Sequence, residues 1–259
     1  MPKILALDTS TEGCSVALNC DGKIVEEFVL LPREHTKQIL PMIDRVLTAN
    51  QLRLNELDAI AYASGPGSFT GLRIASGVVQ GLAFGCDLPV IQISTLATLA
   101  YGVVKSLDEG DRGSVVVLSS LDARMNEIYW GCYRFDPVYG VVAIIDDQVC
   151  LPSNAPLPET LQHESPDLSK CQLYGVGNGW QFKSMFTQLP AGLVIVDHQN
   201  EIPRAANVAF LAMPMLAQGN TVSAEDAIPI YLRDTVSWKK RERIRPLADA
   251  PLNRITKSE

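Results

Sequence analysis

The run Ser64-Gly65-Pro66-Gly67-Ser68-Phe69-Thr70-Gly71-Leu72-Arg73 gathers glycines, hydroxyls and an arginine between an apolar stretch and a helical one. Gly65 and Gly67 admit backbone angles closed to other residues, and Ser68 or Thr70 can cap the helix that follows. Amides freed at a helix start favour an anion, so Gly65, Gly67, Ser68, Thr70 and Arg73 form a candidate nucleotide- or anion-contacting loop. No named phosphate motif fits. A P-loop ends in Gly-Lys-Ser/Thr, and the dinucleotide fingerprint needs its third glycine one residue before Gly71. A tight strand-to-helix turn without a ligand therefore remains the competing reading.

Two carboxylates stand where phosphotransfer chemistry could use them. Asp8, followed by Thr9, Ser10 and Thr11, ends an apolar run, and Asp122 ends another after Leu121. Facing each other they could hold a metal; alone, an aspartate at a strand end bonds the amides of its own turn. The three histidines, His35, His163 and His198, form no His-x-x-x-His pair. That excludes a helix-borne zinc site of this kind, and no metal is expected.

The elements that position these residues follow from periodicity. Apolar runs at 4–7 and 14–18, the Asp21-Gly22 hairpin signal and the stretch 23–31 predict three antiparallel strands. Ile39, Leu40, Ile43, Val46 and Leu47 recur at helical spacing, with a kink or a later start expected at Pro41. Strand-like 57–63, helical 70–84, strand-like 89–93 and helical 94–105 extend the sheet with parallel strands. Gly77, Gly81 and Gly85 then form a bare stripe along the second helix. Each costs about 1 kcal/mol relative to alanine, and close approach of another backbone would explain them.

After a charged, glycine-containing linker at 107–113 the opening pattern returns in strands at 115–121, 127–135 and 140–150. Two related α/β domains follow, the second degenerate: 1–106, 107–235 and a basic tail at 236–259. The helix near 205–218 is assigned to the second domain, with the option of packing back on the first. Among 259 residues, 47% are apolar and the net charge is −7, enough for real cores and wrong for a protein that grips nucleic acid alone. No cationic leader or membrane-length apolar run is seen, so a cytoplasmic protein without membrane contact is expected. Six scattered cysteines suggest neither disulfides nor zinc. Lys239, Lys240, Arg241, Arg243 and Arg245 make the tail basic.

Five ordered motifs resemble the bacterial TsaB (YeaZ) family. They are the opening Ile4-Leu5-Ala6-Leu7-Asp8-Thr9-Ser10, Pro32-Arg33-Glu34-His35-Thr36, the Gly65 to Arg73 loop, Leu121-Asp122-Ala123-Arg124-Met125 and Pro229-Ile230-Tyr231-Leu232-Arg233. The resemblance implies two ribonuclease-H-like domains of the actin and Hsp70 type. It also implies a non-catalytic subunit of the complex that forms threonylcarbamoyladenosine beside the anticodon of tRNAs reading codons that begin with adenine. Its partners would be TsaD, which carries the metal and the transfer chemistry, the ATPase TsaE, and tRNA through the complex. By the same resemblance the first two helices form the partner and homodimer face, with His35, Ile39, Leu40, Ile43, Leu47, Gly77, Gly81 and Gly85 in the interface. No cofactor is expected to be bound stably, and ATP or ADP is expected only at that interface. A stand-alone ATP-dependent phosphotransferase or hydrolase using Asp8 and Asp122 is the alternative.

Overall fold

The computed structural model describes residues 2–30, 33–158, 171–196 and 202–233. Pro32, His163, His198 and the tail at 236–259, with its basic run, lie outside these residues. Strand β1 (Ile4–Asp8) pairs antiparallel with β2 (Gly13–Cys20), which pairs antiparallel with β3 (Lys23–Leu30). The turn between β2 and β3 uses positive φ at Asp21 (54°) and Gly22 (84°), the conformation that an Asp-Gly pair favours. Helix α1 (His35–Ala49), β4 (Ala59–Gly65), α2 (Phe69–Cys86), β5 (Val90–Ser94) and α3 (Thr95–Ser106) follow. The first sheet has the order β3-β2-β1-β4-β5, with β1, β4 and β5 parallel.

The second sheet repeats the first. Strands β6 (Val115–Arg124), β7 (Glu127–Asp136) and β8 (Gly140–Cys150) form the antiparallel half, and β9 (Gln172–Val176) and β10 (Val194–Ile195) the parallel half. Read from β8, its order is β8-β7-β6-β9-β10, the order of the first sheet. The fold is thus α/β, with two ribonuclease-H-like units of the actin and Hsp70 type. The second is degenerate in that a 3-10 segment, Asn178–Met185, stands between β9 and β10 where α2 stands between β4 and β5.

Alternation along β1 shows how the layers form. Leu5 and Leu7 join the apolar face of α1, through Ile39, Met42, Ile43, Val46 and Leu47, while Ile4 and Ala6 face the opposite way. That inner cluster joins both sheets through α3 and α4 (Ala205–Ala217). Each of these helices crosses over: α3, which follows the first sheet, packs mainly on β6, β7 and β8, and α4 packs on β1, β2, β4 and β5.

Helix α4 thus takes the option of packing back on the first domain. The physical reason is at its N-terminus. Ser15 Oγ accepts the Ala205 amide at 2.9 Å, and Glu26 Oε1 accepts the Ala206 amide at 2.9 Å, so first-sheet side chains cap the helix. Arg204 pairs with Glu26 at 2.6 Å and lies 3.9 Å over the Phe28 ring. Beyond α4, Val222 bridges to Val90 on the β5 edge. Among the described residues no helix is long and apolar enough to cross a membrane.

Helix α1 begins at His35 and runs through Pro41 without interruption, so the later start is not taken.

Candidate functional site

The glycine-rich loop joins β4 to α2 and is clasped by the turn after β1. Ser10 O accepts the Ser68 amide at 2.7 Å, and Thr9 Oγ1 donates to Gly71 O at 2.7 Å. Ser68 is the N-cap of α2, its Oγ accepting the Gly71 amide at 3.3 Å. A Cβ on Gly67 would stand 2.4 Å from Ser10 O, and one on Gly71 would stand 1.9 Å from Thr9 O. Gly65, at φ 137°, would place its Cβ 2.4 Å from Ile230 O. These glycines answer to close backbone approach. Of the residues expected to contact an anion, Ser68 has its amide engaged by Ser10 O.

Asp8 lies beneath this clasp and is 1% exposed. Its Oδ1 accepts the Ser10 amide and the Ser10 hydroxyl, each at 2.8 Å, while Oδ2 has no partner. Burial pushes the carboxyl up to about 7, against the lowering effect of the Ser10 hydrogen bonds, and Glu26 adds a further push. Asp122 does not act on it. Asp122 accepts the Arg124 amide at 2.7 Å and pairs with the Arg124 guanidinium at 3.2 Å. It thereby fixes the β6–β7 turn, where Arg124, Met125 and Asn126 take φ of 68°, 57° and 62°. The alternative of a phosphotransfer pair finds no support: one carboxylate is sealed and the other holds a turn. Among the described residues no three His, Cys, Asp or Glu side chains cluster as a metal site would need.

The outer face of the first domain carries α1 and α2 side by side. Gly77, Gly81 and Gly85 line the open side of α2, where a Cβ at any of them would meet nothing within 4 Å. Phe69, at the start of the helix, and Phe84, between Gly81 and Gly85, are 57% and 74% exposed, and Leu40 on α1 is 52% exposed. The remaining α1 residues assigned to the interface are corrected. His35, Ile39, Ile43 and Leu47 are 8%, 1%, 4% and 6% exposed, because they form the face of α1 that covers the first sheet. His35 Nε2 donates to Gly13 O at 3.1 Å, which ties the start of α1 to β2.

Arg73 lies at the N-terminal end of the open face. Its guanidinium sits 3.8 Å over the Phe69 ring, and its Nε donates to Tyr231 Oη at 3.0 Å. Tyr231 in turn tilts against Phe69 with ring centroids 5.6 Å apart. Sequence reasoning left Phe84 and Tyr231 unassigned. The signal for Phe84 was an aromatic lying off the buried stripe of α2; Tyr231 stood in the fifth motif, but its contact with Arg73 spans 158 residues and no local pattern shows it.

The family model described as "TsaD: tRNA N6-adenosine threonylcarbamoyltransferase" matches residues 29–240. The chain is 42% identical over 238 residues to the "tRNA threonylcarbamoyladenosine biosynthesis protein TsaB" of Escherichia coli (strain K12), covering 92% of this chain and 97% of that protein. The chain belongs to the TsaB family. The Haemophilus influenzae TsaB protein is 41% identical over 244 residues, covering 92% of this chain and 96% of its own. The solved structure "YeaZ from Pseudomonas aeruginosa" superposes with a TM-score of 0.78 at 37% identity, over 90% of this chain and all of that one (100%). In this TsaB-family chain four of the five motifs meet in space. Ser10 holds Ser68, Arg73 holds Tyr231, and Arg233 pairs with Glu127 and contacts Met125 Sδ, so the motifs describe one continuous structural unit.

Proposed function

We propose that this chain is a non-catalytic subunit of the complex that forms threonylcarbamoyladenosine in tRNA, and that it acts through the open face of α2. The observation that carries this reading is the unfilled Gly77, Gly81 and Gly85 stripe beside exposed Phe69 and Phe84, on a chain of TsaB descent. A partner helix laid along the glycines would approach closely, and the two exposed aromatics would anchor it. That partner is a TsaD-type transferase, and in its absence a second copy of this chain takes its place. TsaE and tRNA join through the assembly. ATP or ADP binds stably only once the partner completes the interface beside Arg73. The lack of chemistry in this chain alone is supported by the state of its two carboxylates, Asp8 sealed from solvent and Asp122 engaged by Arg124.

The test is reconstitution of threonylcarbamoyl transfer to tRNA with purified TsaD, TsaE and the adenylate-forming enzyme. Modification should require this chain and fail with Gly81→Leu, while the variant keeps its fold by circular dichroism and sediments as a monomer. Full modification without the chain, or with Gly81→Leu at wild-type rate, would overturn the proposal.

A further inference from the structure

The clasp over Asp8 closes backbone against backbone. A Cβ on Gly67 would meet Ser10 O at 2.4 Å and one on Gly71 would meet Thr9 O at 1.9 Å, so no side chain spaces the turn after β1 from the start of α2. Two hydrogen bonds join them, the Ser68 amide to Ser10 O and the Thr9 hydroxyl to Gly71 O, each 2.7 Å. Ser10 is held in turn by Asp8, because its amide and its hydroxyl both donate to Oδ1. Carboxyl, turn and the N-cap of α2 thus form one chain of bonds.

What lies under the clasp is short of hydrogen-bond partners. Asp8 Oδ2 and, three residues on, Thr11 Oγ1 are buried atoms that bond to nothing. Water entering here would satisfy both, and the closed turn keeps it out. A neutral carboxyl tolerates the shortage. A carboxylate, which carries part of its charge on Oδ2, does not.

The surrounding elements bring no relief for that charge. Among the described residues no cation pairs with Asp8. Glu26 on β3 opposes its ionisation and is itself paired with Arg204 at the start of α4, a helix without another titratable side chain. The Cys14 thiol on β2 is pushed up to about 11 by burial, with Asp8 adding to the push, so it stays neutral. On α1, His35 donates to Gly13 O; on β4, the Tyr62 hydroxyl donates to Ile228 O; on α2, Arg73 donates to Tyr231. Glu12, on the turn itself, is exposed and of the same sign as Asp8.

We infer that Asp8 is a proton-operated latch on the start of α2: neutral, it keeps the turn of Thr9 and Ser10 closed on Ser68 and Gly71, and once its proton passes to solvent the turn parts from the loop and water reaches Oδ2. The sign follows from linkage. The closed form titrates at about 7 and the open, hydrated form near the ordinary 3.8, so the opening constant is lowest below about pH 3.8, rises through the interval and levels above about 7. Opening is local, since it breaks the bonds of the clasp and leaves both sheets paired. It frees the N-cap and first turn of α2, the end of the helix that carries Phe69. The latch belongs to the chain alone and holds whether or not α2 docks a partner.

Amide hydrogen exchange of the full-length chain from about pH 5 to about pH 8.5 tests it, each rate divided by that of an unstructured chain at the same pH to give an opening constant. For the Ser10 and Ser68 amides this constant should rise about 50-fold between about pH 5 and 7 and by about twofold more above that. It should exceed the constants of Ile60 on β4 and of Val79, further along α2, throughout. Asp8→Asn, which keeps the Oδ1 acceptor, should abolish the rise. Thr9→Val, which removes the bond to Gly71 O, should raise the Ser10 and Ser68 constants about fivefold at every pH and leave the rise intact. Constants equal to those of Ile60 and Val79 would mean that Asp8 titrates only with the whole fold, and constants flat with pH would mean that no proton is linked to the clasp. Either result overturns the inference, and both are read on the wild-type chain, so neither depends on how well Asp8→Asn folds.

Discussion

Replacing Asp8 by Asn should reverse its effect on stability between acid and alkaline pH. The folded carboxyl titrates at about 7 against 3.8 for the ordinary group, because burial opposes ionisation. A folded value raised in this way means that the native state binds more protons than the unfolded state between those limits. Stability from the neutral acid is therefore full below about pH 3.8 and is lost as pH rises through about 7. The interval, at about 1.4 kcal/mol per pH unit, amounts to about 4 kcal/mol. Asn cannot ionise and keeps the Oδ1 acceptor for both Ser10 bonds, but it puts a buried amide where Oδ2 has no partner. That amide costs about 1–2 kcal/mol at every pH. The variant should then be about 1–2 kcal/mol less stable than wild type near pH 4 and about 2–3 kcal/mol more stable near pH 8.5. Urea midpoints followed by circular dichroism across this range measure the difference directly, and titrations common to both chains cancel. A difference that stays constant from pH 4 to 8.5 would refute the reasoning, since it would mean that Asp8 ionises in the fold as readily as in the open chain.

Gly71→Ala should cost about 3 kcal/mol or more, because its Cβ falls 1.9 Å from Thr9 O, whereas Gly81→Ala, in open space, should raise the monomer's stability by about 1 kcal/mol. Urea midpoints at low protein concentration compare them, and equal effects would count against the different roles given to the two sets of glycines. Glu26→Ala removes both the Arg204 pair and the acceptor of the Ala206 amide, and should cost about 2–3 kcal/mol. Hydrogen exchange should then quicken first at the amides of residues 205–208, and an unchanged melting temperature would refute the capping role.

Legibility in the sequence divided by range. The strands of both antiparallel halves were readable because period-two alternation and the Asp21-Gly22 turn are local, and the duplication was readable from Leu7-Asp8 and Leu121-Asp122. The place of α4 was not. Its partners Ser15 and Glu26 lie 190 and 180 residues away along the chain, and nothing in its own apolar sequence says which sheet will cap it. The α1 interface failed for a different reason. Periodicity reports that Ile39, Ile43 and Leu47 share a face but not what covers it, and the chain's own sheet claimed that face first.

The glycines of the first domain show how a fold and a binding face can be told apart by the same substitution. Gly65, Gly67 and Gly71 leave no room for a Cβ, so the chain's own backbone accounts for them. Gly77, Gly81 and Gly85 face open space, and nothing among the described residues accounts for them. As alanines they would add about 1 kcal/mol each to α2, about 3 kcal/mol in all, a sizeable share of a domain's net stability. A helix that forgoes this much on one face while keeping Leu72, Ala75, Val79 and Ala83 buried on the other is shaped by something outside the chain. Phe69 opens the helix and Phe84 stands between Gly81 and Gly85, so an exposed ring lies near each end of α2 beside the bare stripe. A partner helix pressed against this bare backbone and packed on the two rings is the arrangement we propose for these five residues.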